Sequence, residues 1–460
     1  MLFNSIAFLL FFPIVCVLYF LLPYRFRYLL LLVAGYLFYA YAEPFSLVFL
    51  LLTTLVTWIG GRLLYEGRRV GFAALLLALG LLACFKYVPY VLSLFSAGEV
   101  SILLPLGISF YTFQSLTYCM DCYRKECKPV NNFLKYALFV SFFPTILAGP
   151  IARAKNLLPQ FDEDFDFDAL RAKEGLVYML WGYFLKLVIV SRLTILTDLV
   201  FGDASMRGLP VLVAVLAYSF QIYGDFAGYS YIAIGCAKIM GFTLPQNFRQ
   251  PYLAESVADF WRRWHISLSS WFRDYLYIPL GGNRRGTVRK YINVLIVFIV
   301  SGIWHGANIT FLFWGLLNGI YQVIGGIAAN VFPRWVAARR VLRVLGTFAL
   351  MTLTWVFFRA PSISDAFAIL GRLFGGAYLS ALTDGTLFTL GLGVKNLLFA
   401  FAALALLIAA DLLCEKKNCD IAHLLTNVKW PIRWVLYYIV VTMVLFSCNL
   451  STQEFLYMKF

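Results

Sequence analysis

The apolar positions of this chain neither alternate nor mark one face of a helix. They gather into long runs parted by short basic turns. A hydrocarbon core of about 30 Å takes about 20 apolar residues as a perpendicular helix. On that measure residues 6–22, 28–42, 46–60 and 72–85 read as the first four spans, with Glu43-Pro44 closing the second. Arg25 and Arg27 follow the first run, and Arg62, Arg68 and Arg69 the third, which predicts that those turns are cytoplasmic. The first run has no basic stretch before it and no small-residue cleavage site. It is therefore expected to be a span and not a removed signal, with the amino terminus outside. Further apolar runs lie at 175–191, 211–223, 226–240, 292–303, 308–329, 344–358, 395–413 and 434–447; because the middle of the chain is broken, about 10 or 11 spans are expected, fewer than the runs.

Two stretches break the pattern. Residues 102–120 are interrupted by Pro105 and Gly107, and residues 135–150 by Pro144 and Gly149-Pro150. Irregular backbone at membrane depth is tolerated only where it lines protein or water, so these read as the wall of a cavity, re-entrant in part. The acidic run at 162–168 is expected to cap the helix that follows it. Between residues 245 and 290 no window is long enough to span. Trp261, Trp264 or His265, Leu268, Phe272 and Tyr275 recur there at helical spacing, with Arg262, Arg263 and Arg273 at other positions. That spacing predicts a helix lying at the cytoplasmic interface, followed by a turn at Gly281-Gly282-Asn283.

Composition narrows the picture. Of 460 residues, 62% are hydrophobic and only 13% charged, too apolar for soluble domains, so one polytopic all-α membrane domain is expected over 1–460. Within it, 245–290 forms the cytoplasmic interfacial segment and 449–460 an extracytoplasmic tail. The net charge of +15 sits in clusters between apolar runs, a positive-inside pattern and not a nucleic-acid surface. The nine cysteines complete no metal-ligand spacing with the few histidines, so no metal is expected. No phosphate-binding or dinucleotide glycine pattern is present.

The chain has three histidines, and two of them, His265 and His305, fall within one stretch from Asp259 to Ala307. His305 ends an apolar run between Trp304 and Gly306. An ionisable ring there is costly without a purpose, and imidazole is the side chain best suited to pass protons near neutral pH. Lys186 and Asp225 are further charges at span depth, suited equally to a buried structural pair or to function. An enzyme, a transporter or flippase for an envelope precursor, and a scaffold subunit each fit such a housing.

The sequence DFWRRWHISLSSWFRDYLYIPLGGNRRG, followed by SGIWHGA, resembles the signature of the membrane-bound O-acyltransferases. The match is closest to the bacterial branch that O-acetylates envelope and exported polysaccharides. MLFNSIAFLLFFPIV, LLPLGISFYTFQSLTYCMDCYR, AGPIAR and GDFAGYSYIAIG resemble the same branch in the same order. The resemblance implies a ring of tilted helices around a thin, tunnel-bearing centre. It implies His305 as the catalytic histidine and His265 as a supporting one. Trp304, Asn308, Asp225, Arg262 and Arg273 become candidates for the donor site or tunnel lining. It also implies a thioester donor such as acetyl-CoA or an acyl-carrier protein, and a polysaccharide acceptor. An extracytoplasmic esterase-like (SGNH) transferase is the expected partner. D-alanyl or other acyl transfer to teichoic acid, lipid or protein stays open. The tail STQEFLYMKF resembles a C-terminal motif of envelope-acylation systems, which makes Tyr457 a candidate acyl relay.

Overall fold

The computed structural model describes residues 1–93, 95, 104–331, 340–376, 378 and 380–447, and within them the fold is all-helical. Among the described residues, eight helices are long and apolar enough to cross a membrane. The chain forms two compact units, one of Met1–Gly182 with Tyr229–Gln246, the other of Tyr183–Gly228 with the described part of Asn247–Leu456.

The first unit opens with α1 (Ile6–Leu21), α2 (Tyr24–Ala40), α3 (Leu47–Tyr65) and α4 (Phe72–Ser93), close to the expected spans. The predicted breaks are real. Gly107 adopts a left-handed conformation just ahead of α5 (Ile108–Tyr123), where a β-carbon would lie 2.4 Å from the Ile146 carbonyl oxygen. After α6 (Phe133–Ser141) the backbone is irregular through Arg153, yet all its residues from Phe142 to Ala152 are buried. Of the acidic run, Asp168 does cap the following helix, α7 (Ala169–Tyr183), by accepting from Leu170 N and Arg171 N. Asp164 instead pairs with Arg27, and Asp162 with Lys135.

In the second unit α7 continues without a break into a π-helical stretch, Phe184–Val190, and then α8 (Ser191–Gly202). One expectation fails at the next element. Residues 211–223 and 226–240 are not two spans but one 31-residue helix, α9 (Leu209–Ile239). The separating Gly224-Asp225 does not end it, for two reasons. Gly224 lets α9 close on Val190, whose Cγ2 would be 3.1 Å from a β-carbon there. Asp225 is neutralised by Lys186 of the π stretch, with side chains only 1% and 7% exposed. The last turns of α9 belong to the first unit, where Gly235 meets Gly175 of α7 so closely that a β-carbon on Gly235 would be 2.5 Å from the Gly175 carbonyl.

The segment 245–290 spans nothing, as expected, but it is not one surface helix. It folds as α10 (Val257–Arg263), α11 (Ile266–Phe272) and a π turn at Arg273–Tyr277. Phe260, Trp264, Leu268 and Phe272 are all buried. The hairpin of α12 (Thr287–His305) and α13 (Ile309–Val331) follows, then α14 (Arg340–Arg359) and α15 (Ile363–Leu373). Glycine sets the α12–α13 spacing: a β-carbon on Gly315 would be 2.3 Å from the Phe298 carbonyl. Two long helices close the unit, α16 (Gly393–Lys417) and α17 (Trp430–Ser447).

Candidate functional site

The sequence Trp261-Arg-Arg-Trp-His265 bends where a helix was expected. Trp264 is extended, and His265 takes a left-handed conformation at φ 43°, ψ 54°. A non-glycine residue in that region carries strain, and such strain collects at functional sites. Asn247 holds the bend from 18 residues away. Its carbonyl accepts from Ile266 N at 2.9 Å. Its side-chain Oδ1 takes the Ser267 hydroxyl at 2.7 Å, the Ser267 N–H at 3.2 Å and lies 3.3 Å from His265 Nδ1. Because the Ser267 N–H can only donate, the atom it meets is the amide oxygen. His265 Nδ1 must then carry the proton, and Nε2 keeps its lone pair. The ring is 2% exposed, and burial pushes its pKa down to about 3, so it is neutral at physiological pH. Phe226 of α9 meets it edge-on with centroids 4.5 Å apart.

His305 is the last residue of α12 and is 4% exposed. Its imidazole is ringed by Trp304 at 4.7 Å, Trp314 at 4.9 Å, Phe358 at 5.2 Å and Phe311 at 6.4 Å between centroids. The following Gly306 is required by this collar, since a β-carbon there would lie 2.7 Å from Phe311 Cε2. Trp304 touches both imidazoles, its centroid 6.4 Å from His265. The histidines from the two motifs are thus joined through one indole. Trp261 ties α10 to the hairpin, meeting Trp314 edge-on with centroids 5.6 Å apart and donating from Nε1 to Asn318 Oδ1 at 3.3 Å. Arg263 pairs with Asp259 within α10 at 3.0 Å and ties that helix to Glu415 of α16 at 2.7 Å.

The remaining candidates are spread apart in role. Asn308 caps α13, accepting from Thr310 N, and donates to the Pro361 carbonyl at 2.6 Å. Arg262 and Arg273 point outward at 70% and 64% exposure, each beside a neighbouring aspartate. Asp225 is held by Lys186, one residue before the Phe226 that touches His265. Tyr457 lies outside the described residues. Sequence reading missed Asn247, Trp314, Phe311 and Phe358, for which spacing gives no signal. It also passed over Asp411, a carboxylate inside the expected span 395–413, which Tyr223 meets at 3.3 Å.

A buried imidazole in an aromatic shell, as at His305, can take a proton from a hydroxyl and return it to a leaving group. The imidazole of His265, neutral and locked in one tautomer, offers a fixed acceptor.

Residues 130–360, which contain both histidines, match the sequence profile of the membrane-bound O-acyltransferase family. A probable alginate O-acetylase of Pseudomonas aeruginosa is 39% identical over 428 residues, covering 88% of this chain and 81% of that protein. The peptidoglycan O-acetyltransferase of Helicobacter pylori is 35% identical over 386 residues, covering 75% and 73%. The teichoic acid D-alanyltransferase of Bacillus subtilis is 30% identical over 251 residues, covering 50% and 60%.

Proposed function

This chain belongs to the membrane-bound O-acyltransferase family, and on that premise we propose that it transfers an acetyl group for O-acetylation of a cell-envelope or exported polysaccharide. It is a multi-pass membrane acyltransferase, and the acyl donor is a substrate, not a cofactor. The names of the two relatives with the wider coverage, acting on alginate and on peptidoglycan, support a polysaccharide acceptor. A cytoplasmic thioester such as acetyl-CoA would supply the acetyl group. The basic clusters from Trp261 to Lys290 support that side for the donor. An extracytoplasmic esterase-like partner would complete delivery to the polymer, in the cell membrane.

His305 is the general base in this reading. Its imidazole takes the proton of the attacking hydroxyl as oxygen adds to the thioester carbonyl. As the C–S bond breaks, the imidazolium returns that proton to the departing thiolate. Trp304, Trp314, Phe311 and Phe358 keep water from the acyl carbon, limiting hydrolysis. His265, neutral with its lone pair on Nε2, supports the donor or the bend that carries it.

The observation that carries the reading is the imidazole of His305, buried at a helix end inside four aromatic rings. Replacing it tests the proposal. His305→Ala is expected to abolish ester-linked acetate, released from the polymer by mild alkali, while the protein still accumulates in the membrane. Near-normal acetate in that variant would remove His305 from the chemistry.

A further inference from the structure

Among the described residues two Lys or Arg side chains are buried, Lys186 at 7% exposure and Arg192 at 3%. Lys186 has Asp225. Arg192 forms no ion pair with a carboxylate among the described residues. Both of its hydrogen bonds leave from Nη1, one to the Val188 carbonyl at 3.0 Å and one to Ser447 Oγ at 2.9 Å. Ser447 spends its own proton on the Met443 carbonyl, so it meets the cation as a neutral acceptor. The guanidinium lies over the Phe399 ring, with Cζ 4.3 Å from its centre. Nε is buried and has no partner among the described residues. An always-charged group left this way is among the costliest to bury.

Nε and Nη2 form one edge of the guanidinium fork, the edge that matches two oxygens of a phosphate or carboxylate. In Arg192 that edge points away from both protein bonds. The surroundings say what kind of anion fits. Ser447 belongs to α17, a span-length apolar helix. The two helices beside the guanidinium, α16 and α17, present exposed apolar faces: Leu398 and Phe401 on one, Leu445 and Phe446 on the other. A ligand complementary to both features carries an anion at one end and hydrocarbon at the other. A polysaccharide lacks the second part.

We propose that Arg192 binds the phosphodiester of an anionic phospholipid, whose acyl chains lie along the outer faces of α16 and α17. The same oxygens exist in free phosphate, so the test separates the two sources. The full-length protein, purified in mild detergent, is presented with phosphatidylglycerol, phosphatidylcholine or inorganic phosphate and examined by native mass spectrometry. The wild type is expected to retain one phosphatidylglycerol. Arg192→Gln should weaken that retention about tenfold, and Arg192→Lys should lose less. Equal retention by Arg192→Gln, equal retention of phosphatidylcholine, or displacement of the lipid by inorganic phosphate or by the polysaccharide overturns the assignment. Should Arg192→Gln fail to accumulate, a photoreactive phosphatidylglycerol on the wild type decides. Labelling of peptides containing Phe399 or Ser447 supports the site, and labelling confined elsewhere rejects it.

Discussion

The side-chain oxygen of Asn247 holds Nδ1 of His265 at 3.3 Å and so selects which nitrogen of that ring carries the proton. Asn247 also secures Ser267, which keeps the left-handed turn at His265 from relaxing into a continuous helix. Its removal is therefore expected to matter more to activity than to accumulation. Asn247→Ala should lower polymer O-acetylation about 10- to 100-fold. Asn247→Asp, which keeps an acceptor oxygen, should retain more. Wild-type acetate release from the Ala variant would show that the clamp is not needed.

The neutral state of His265 has a consequence for stability. Burial holds its pKa at about 3 in the native protein, against 6.5 for a free imidazole. Below pH 6.5 the unfolded chain takes up a proton that the native ring refuses. The unfolded state then binds more protons, so stability falls as pH drops from about 6.5 toward 3, by about 1.4 kcal/mol per unit from this group. Above pH 6.5 its contribution is constant. His265→Gln removes this component. Thermal unfolding in detergent at pH 7.5, 6 and 5 should show the wild type losing ground relative to the variant as pH falls. A pH-independent difference between them would count against a buried neutral ring.

Lys186 and Asp225 should behave as a unit. Removing either one leaves a buried charge without its partner, at a cost of about 3–5 kcal/mol. Lys186→Met and Asp225→Leu are each expected to reduce membrane accumulation and unfolding temperature sharply. The double variant should be less damaged than the sum of the two. Simple additivity would mean that the two charges are stabilised independently.

Tyr457 lies in the tail that resembles an acyl relay, and a phenol oxygen can accept an acyl group once a base takes its proton. Tyr457→Phe keeps the ring and removes only that oxygen. The expected outcome is loss of polymer acetylation with normal accumulation of the protein. Full acetylation in Tyr457→Phe would reduce the tail to an aromatic anchor.

The membrane architecture and the two histidines were legible because they rest on local signals: run length, basic turns, and a motif contained within 49 consecutive residues. What escaped depends on partners distant in sequence. Asp225 looked like the end of a span: a buried pair with Lys186 was one of the readings, but nothing local shows that this pairing, 39 residues apart, lets the helix run on. The helix through Trp264 looked continuous because left-handed His265 is imposed by Asn247, not by a glycine. Phe358 reaches the ring of His305 from 53 residues away, and no periodicity encodes that meeting.

The π-helical stretch from Phe184 to Val190 places a constraint of a different kind on this protein's history. A π turn holds more residues than an α turn, so losing one residue would let the segment relax into ordinary helix. Everything beyond it would then rotate about the helix axis relative to everything before. Lys186 and Arg192, on either side of that point, would no longer both face the partners they have now. Substitutions at Leu187 or Ile189 can keep that arrangement, whereas a single-codon deletion cannot. Natural variation through this segment should therefore alter its letters freely and its length hardly at all.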